Sequence, residues 1–143
     1  MRKLLLILIA TMSPLAAQEA PAGFEAARIT PLTAGRWSYA ATASGSEARF
    51  GESFLIRCDR NARRVTLRRI EMIVTAPAVP MIITTDLATN MLPADGMVAN
   101  TNRALDAIAF SRGRFIVNGG GGGSSLVLLA SPEAARSIED CRN

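Results

Sequence analysis

The sequence predicts an α+β fold, a mainly antiparallel β-sheet that forms a sandwich or a curled sheet and carries one or two short helices, including a C-terminal one. Three observations predict it. Apolar residues alternate along several short segments, turn signals separate these segments, and the last segment has the spacing of an amphipathic helix. The chain has 143 residues, 49% of them hydrophobic and 20% charged, which is typical of one globular domain with a sizeable core.

The first predicted strands lie between residues 36 and 58. In the stretch RWSYAATA, Trp37, Tyr39 and Ala41 share one face. Trp37 and Tyr39 are interpreted as core side chains rather than as a ligand-stacking surface. A turn is predicted at SGSE, and a second strand, bent at Gly51, over the stretch ARFGESFLIRC.

A hairpin is predicted to follow, with the four-residue loop 59–62 and a long second strand over 63–76. Its register is set by placing Cys58 opposite Arg63. That register gives two core pairs and one ion pair, namely Ile56 with Val65, Phe54 with Leu67 and Glu52 with Arg69.

Further elements are predicted in the second half of the chain. Strands are expected over 81–88, 114–118 and 125–130, with turn material over 89–96. A helix within 100–113 is expected to be capped by one of three polar residues and to end at Gly113; the candidate caps are Asn100, Thr101 and Asn102. The C-terminal helix has Ser131 as its N-cap, with Pro132 at its first position.

Five consecutive glycines, residues 119–123, separate two of the predicted strands. A phosphate-binding loop would lead into a helix and would carry a lysine before a Ser or Thr. Here Ser124 and Ser125 lead into a short apolar run that is typical of a strand. The glycines are therefore interpreted as a flexible hairpin loop rather than as a ligand cradle.

Residues 1–17 have the order of a secretory signal peptide, two charges, an apolar run and then small residues, with cleavage expected after Ala17. Residues 18–34 are predicted to be a loosely tied N-terminal arm with a short extended piece near Ile29, and residues 35–143 a single globular domain. The apolar run is too short to span a bilayer, so no transmembrane segment is expected in the mature chain. We therefore expect an exported protein, periplasmic or extracellular. Removal of Arg2 and Lys3 lowers the formal net charge from +4 to +2.

Cys58 and Cys141 are predicted to form a disulfide. Each ends an apolar series, one on a strand and one on the C-terminal helix, so both should face the core. An even pair of cysteines in an exported chain is typical of a disulfide. The two are 83 positions apart, and the chain-entropy model then gives a stabilisation of roughly 4–5 kcal/mol. Because the chain has no histidine and no third cysteine, neither a metal site nor a cofactor is predicted.

The residue types exclude several classes of enzyme. Without histidine there is no Ser-His-Asp or Cys-His catalysis, and Lys3 is the only lysine, which leaves no Schiff-base residue in the mature chain. The adjacent Glu139 and Asp140 are interpreted as surface carboxylates that pair with an arginine such as Arg136, since neighbouring side chains on a helix do not converge. We expect no enzymatic activity; the alternative is a carboxylate-based enzyme acting on glycans.

Arginine is concentrated in one segment, where six of the 13 residues from Arg57 to Arg69 are arginines. The predicted hairpin places Arg57, Arg64 and Arg68 on its outer face, with Arg57 opposite Arg64. These three are candidate residues for binding an anionic envelope component or an acidic protein. The alternative is a solvated face that discourages edge-to-edge aggregation. Aromatic residues are not interleaved with the arginines, so specific nucleic-acid binding is not predicted.

Several segments together resemble a group of small secreted alphaproteobacterial proteins that have no assigned activity. These segments are GRWSYAA, SEARF, IRCDRNARRVTLRR, AFSRGRF and EDCR, and they span about residues 35–142. Because the group has no assigned activity, the resemblance assigns no catalytic residue to this chain. We expect an exported, non-enzymatic binding or interaction module of the cell envelope whose ligand is unknown. A secreted enzyme inhibitor is a second alternative.

Overall fold

The computed structural model describes residues 23–70 and 79–143, and these residues form an α+β fold of nine strands and three short helices. The predicted signal peptide, its cleavage site and the second half of the predicted strand over 63–76 lie outside the described residues. In chain order the elements are α1 Phe24–Ile29, β1 Trp37–Thr42, β2 Gly45–Phe50, β3 Phe54–Asp59, β4 Arg64–Arg69, β5 Met81–Thr84, β6 Thr89–Leu92, β7 Met97–Ala99, α2 Arg103–Ala109, β8 Arg114–Gly119, β9 Leu126–Leu129 and α3 Pro132–Glu139.

The strands form two antiparallel sheets. The larger sheet has the order β1-β2-β3-β4-β7, and the smaller one has the order β6-β5-β8-β9. Each pair of neighbouring strands runs antiparallel. The predicted fold class is confirmed, with three short helices in the described residues where the sequence predicted one or two.

One hydrophobic core draws on both sheets and on α2 and α3. Its fully buried members include Ile56 and Leu67 of the larger sheet, Phe115 of the smaller sheet, Leu105 of α2 and Ile138 of α3. The core therefore joins all of the elements that alternation and helical spacing identified in the sequence.

An aromatic cluster joins the two sheets. The half-buried Trp37 packs edge-on against Phe50 and Phe54, at ring-centroid distances of 5.5 and 6.5 Å, and lies 6.3 Å from Phe115 of the smaller sheet. Its indole Nε1 donates a hydrogen bond of 2.8 Å to the carbonyl oxygen of Leu129. Trp37 is thus the core-packing residue that the sequence predicted.

The C-terminal helix α3 is held at both ends. Ser131 caps it through its hydroxyl, which accepts from the backbone N–H of Ala134, and Pro132 occupies the first turn, as predicted. The disulfide between Cys58 and Cys141 is present, with a Cα–Cα distance of 5.3 Å, and both cysteines are buried. It fixes the chain just after α3 to the inner face of β3.

The N-terminal segment differs from its prediction. Residues near Ile29 were expected to be extended, but α1 spans Phe24–Ile29. Phe24 and Ala27 fall on one side of this helix and pack on Ile116 of β8. The guanidinium of Arg114 donates to the carbonyl oxygens of Ala27 and Thr30 at the end of the helix. Packing and capping from a distant strand therefore select the helix.

The predicted bent strand is instead two strands, β2 and β3, joined by a turn over 51–53. Gly51 has a left-handed backbone with φ of 51°, and the N–H of Ser53 donates to the carbonyl oxygen of Phe50. Gly51 therefore marks a reversal of the chain rather than the predicted bend within one strand.

The predicted hairpin register is wrong by two residues. Cys58 lies opposite Val65 rather than Arg63, because Asp59 belongs to β3 and pairs with Arg64, and Arg63 takes a left-handed conformation that closes the loop. The remaining pairs shift in the same way and are Ile56 with Leu67, Phe54 with Arg69 and Arg57 with Thr66. A shift of two positions preserves the faces of a strand, so the predicted core residues are still buried.

The segment predicted as turn material over 89–96 contains a strand. β6 pairs with β5 along Thr89–Leu92, and a turn then leads into the short strand β7. Asn90 is disfavoured in strands and Met91 is only a weak signal, so the pairing with the apolar β5 is what makes this segment extended. In α2, Asn102 is the cap among the three candidates, accepting from the N–H of Ala104 at 2.9 Å.

Candidate functional site

The strongest candidate site is the outer face of the larger sheet, here called the arginine face. Strand alternation points the apolar residues of β2, β3 and β4 to the core and the intervening residues outward. The outward set contains four arginines and two acids, namely Arg49, Arg57, Arg64, Arg68, Glu47 and Asp59. The three predicted anion-binding residues therefore do share one exposed face.

Arg57 is already engaged by an acid of the neighbouring strand. Its Nε and Nη2 donate to the same carboxylate oxygen of Glu47, at 2.9 and 2.6 Å. Arg49 contributes a third contact to Glu47 at 3.3 Å, and the Glu47 side chain is only 12% exposed. This carboxylate thus compensates the charges at the centre of the arginine face.

Arg64 and Arg68 have a different environment. The predicted pairing of Arg57 with Arg64 is wrong, since Arg64 lies opposite Asp59 and Arg68 lies opposite Leu55. The Asp59 carboxylate accepts a hydrogen bond from the backbone N–H of Ala62. Within residues 23–70 and 79–143, neither guanidinium forms an ion pair with a carboxylate. Two exposed positive charges therefore lie on the same face of β4, with Thr66 between them.

Arg69 points the other way and is buried at 2% exposure. The predicted ion pair with Glu52 is absent: Glu52 lies in the turn over 51–53, and its contact is with Arg49 at 3.9 Å. The Nη1 of Arg69 donates to the carbonyl oxygen of Ser124, beyond the glycine run, at 2.5 Å. The alternation of β4 indicates this inward direction, because Arg69 lies on the same face of the strand as the core residues Val65 and Leu67.

The glycine run lies over the Arg69 guanidinium. It joins β8 to β9, so its place as a hairpin loop is as predicted. Gly119, Gly120 and Gly121 all have left-handed backbones, with φ of 71°, 65° and 83°. A Cβ on Gly122 would lie 2.1 Å from the Arg69 guanidinium carbon. The run therefore allows the loop backbone to pass directly over a buried arginine.

A second polar cluster connects β1, the β3–β4 turn and α3. The Tyr39 hydroxyl donates to the Asp140 carboxylate at 2.5 Å, and the Arg136 guanidinium lies 4.2 Å from the centre of the Tyr39 ring. The Arg60 guanidinium lies 3.9 Å from the same carboxylate. Tyr39 is thus a half-buried hydrogen-bonding residue that docks α3 rather than a purely apolar core side chain.

The pKa of Asp140 lies below its ordinary value. Partial burial acts to raise it, but hydrogen bonds from Tyr39 and Ser46 and the positive charges of Arg60 and Arg136 together outweigh burial. Asp140 is therefore held as a carboxylate anion, which suits a structural ion pair better than a general acid.

The chain matches no family model, no curated protein and no solved structure. The resemblance to small secreted proteins therefore stays a prediction.

The two acids considered for glycan chemistry have separate partners. Glu139 binds the guanidinium of Arg142 at 3.1 Å, whereas Asp140 binds Tyr39 on the sheet. As predicted, these neighbouring carboxylates make different contacts, but the arginines that pair with them are Arg142 and Arg60 rather than Arg136.

Residues 23–70 and 79–143 contain neither a cluster of metal-ligating side chains nor a helix that could span a membrane. In these residues no three His, Cys, Asp or Glu side chains are grouped so that they could hold a metal ion. Of the helices described, none is long and apolar enough to cross a bilayer.

Proposed function

We propose that this protein is an exported, non-enzymatic module of the cell envelope that binds an anionic surface through its arginine face. One observation carries the proposal. Arg64 and Arg68 are exposed on the same side of β4, with no ion pair to any described carboxylate. Four arginines against two acids give this face a positive excess, although the formal net charge of the whole chain is only +4.

The geometry of the arginine face favours an extended anionic partner. Guanidinium groups bind phosphate and carboxylate through two parallel hydrogen bonds. Residues two apart on a strand lie on one face about 7 Å from each other, as do Arg64 and Thr66, and then Thr66 and Arg68. A surface that presents several anionic groups can therefore contact both free arginines, and Arg57 and Arg49 beside them, at once.

The disulfide supports export, because such bonds persist in oxidising compartments. The absence of converging acids at Glu139 and Asp140 favours binding over glycan hydrolysis. An inhibitor of another enzyme would instead present a loop, and the glycine loop of this protein is held by Arg69 rather than extended.

The test measures binding to vesicles that contain anionic phospholipid, at low and at moderate salt. A polybasic contact is worth about 1 kcal/mol per arginine near such a surface. The double variant Arg64→Ser, Arg68→Ser should therefore bind roughly thirtyfold more weakly at low salt. Binding by the unchanged protein should fall steeply between 0.01 and 0.1 M salt, where the Debye length shrinks from about 30 to about 10 Å.

The matched control removes the same charge elsewhere. Arg103 and Arg112 are exposed and lie at the start of α2 and in the segment after it, outside the larger sheet, and the double variant Arg103→Ser, Arg112→Ser should keep nearly full affinity. Equal losses in both double variants would show that only net charge matters, and the proposal would be wrong. Binding to neutral vesicles with the same affinity would also contradict it.

A further inference from the structure

A cleft of about 520 Å³ opens where α1 packs against β8, on the smaller sheet and separate from the arginine face. Three segments line it. α1 supplies Glu25 and Arg28, the turn between β5 and β6 supplies Asp86, and Arg112 and Arg114 lie just before and at the start of β8. None of these residues is a candidate from the sequence alone, because only the docking of α1 brings them together.

The walls of the cleft are fixed by contacts beneath it. Arg114 Nη1 donates to the carbonyl oxygens of Ala27 and Thr30, both at 3.1 Å, and so ties β8 to the end of α1. The backbone N–H of Arg112 donates to Asp86 Oδ1 at 3.2 Å, which ties the two turns together. The cleft is therefore formed before any ligand enters, which reduces the cost of ordering it on binding.

The charged groups of the cleft differ in how strongly they are engaged by hydrogen bonds and ion pairs within the protein. Arg114 is committed to backbone carbonyls. Arg28 and Glu25 form a pair at 3.3 Å, but their side chains are 63% and 64% exposed, so this pair contributes little and can open. Arg112 is exposed, and its guanidinium makes no hydrogen bond or ion pair with a described residue. It is the cation in the cleft that is available to a ligand.

The two carboxylates narrow the range of ligands. A bare multivalent anion attracted by Arg112 would be repelled by Asp86 and Glu25. A ligand that also carries hydroxyl donors turns these acids into favourable partners, since a carboxylate accepts strong hydrogen bonds. Asp86 is well suited, because only its Oδ1 accepts a hydrogen bond from a described residue.

We propose that the cleft binds a small hydroxylated anion, a sugar acid or a sugar phosphate, whose anionic group contacts Arg112 and whose hydroxyls donate to Asp86 and Glu25. The arrangement matches how guanidinium and carboxylate groups share a compact polar ligand. It does not depend on the arginine face, because none of its residues lies there.

The test is a titration of the ¹⁵N-labelled protein, followed by amide NMR shifts. The probes are glucuronate and glucose 1-phosphate, with acetate as an anion that lacks hydroxyls and glucose as a sugar that lacks charge. Saturable shifts at the amides of Arg112 and Gly113 are expected with at least one of the first two probes. Binding by either one supports the proposal and identifies the anionic group. No saturable shift with both would overturn it, and so would acetate binding as tightly as the sugar anion.

Two variants with the same charge change complete the test. Arg112→Ser removes the guanidinium but keeps the backbone N–H that binds Asp86, and it should weaken binding about tenfold or more. Arg103→Ser removes an exposed arginine of α2 outside the cleft and should leave binding unchanged. Equal losses in the two variants would reduce the effect to net charge and overturn the proposal. Unchanged shifts at residues distant from the cleft confirm that both variants are folded.

Discussion

Gly122 is the residue at which the glycine run approaches the rest of the molecule most closely. Its own backbone is not left-handed, in contrast to the three glycines before it, so space alone requires glycine here. Replacement by alanine would place a Cβ 2.1 Å from the Arg69 guanidinium carbon and 2.4 Å from its Nη2. Because Arg69 is buried, the loop or the arginine must move.

We predict that Gly122→Ala lowers the free energy of unfolding by about 1–3 kcal/mol, the usual cost of overpacking. Denaturant unfolding measures it. In a background with Arg69→Leu, the same change should cost much less, because the guanidinium that it meets is gone. If Gly122→Ala costs the same in both backgrounds, the contact with Arg69 is not what requires the glycine.

Asp140 gives the molecule a predictable response to acid. Its pKa in the folded protein is lowered from the ordinary value of 3.8, although burial opposes this, by Tyr39, Ser46 and the nearby arginines. A lowered pKa in the folded state contributes stability that is complete above the unfolded-state pKa and is lost as the pH falls through the folded-state pKa.

We therefore predict that Asp140→Asn is less stable than the unchanged protein at pH 7, and that the difference vanishes as the pH is lowered below 3.8. The asparagine oxygen can still accept from Tyr39, so the comparison isolates the charge. Thermal unfolding at several pH values measures it. A stability difference that stays constant down to the lowest pH would rule out the carboxylate charge as its source.

At the scale of elements, the sequence predicts those whose signal is local. The alternating runs of β3, β4, β8 and β9 and the capped helix α3 are all present. Elements selected by distant partners were not predictable. α1 depends on Ile116 and Arg114, and β6 depends on pairing with β5. The hairpin register was missed because one loop residue, Arg63, adopts a left-handed conformation that its side chain does not signal.

The candidate site likewise has one part that a local sequence pattern predicts and one part that depends on distant partners. Alternation alone places Arg57, Arg64 and Arg68 outward, and it does so under either register. What alternation cannot supply is their partners on neighbouring strands. The binding of Arg57 by Glu47 depends on how β2 pairs with β3, and β2 had been joined to β3 as one bent strand. Only the structure therefore separates the engaged arginine from the two free ones.

At the scale of the whole molecule, the disulfide is the main covalent constraint in the described chain. It links β3 to the residue after α3 across 83 positions. The chain-entropy model assigns it roughly 4–5 kcal/mol, because the unfolded chain loses much of its freedom. Both cysteines are buried, so the folded protein shields the disulfide from reductants in solution.

We predict that the double variant Cys58→Ser, Cys141→Ser melts roughly 10–20 °C below the oxidised protein. Calorimetry measures the difference. Adding reductant during unfolding should lower the melting temperature of the unchanged protein towards that of the variant and should leave the variant unaffected. Equal melting temperatures for the oxidised protein and the variant would contradict the entropic account.

The contact between Arg69 and the glycine run also limits which substitutions the chain can accept during evolution. The two partners, Arg69 and Ser124, are 55 positions apart, yet position 122 has room for a side chain only if position 69 carries a smaller residue. A descendant that replaces Arg69 no longer needs glycine at position 122, whereas the left-handed backbones at 119–121 still favour glycine. One that keeps Arg69 must keep glycine at position 122. A strand residue and a surface loop that sequence comparison would treat as unrelated are therefore expected to change together.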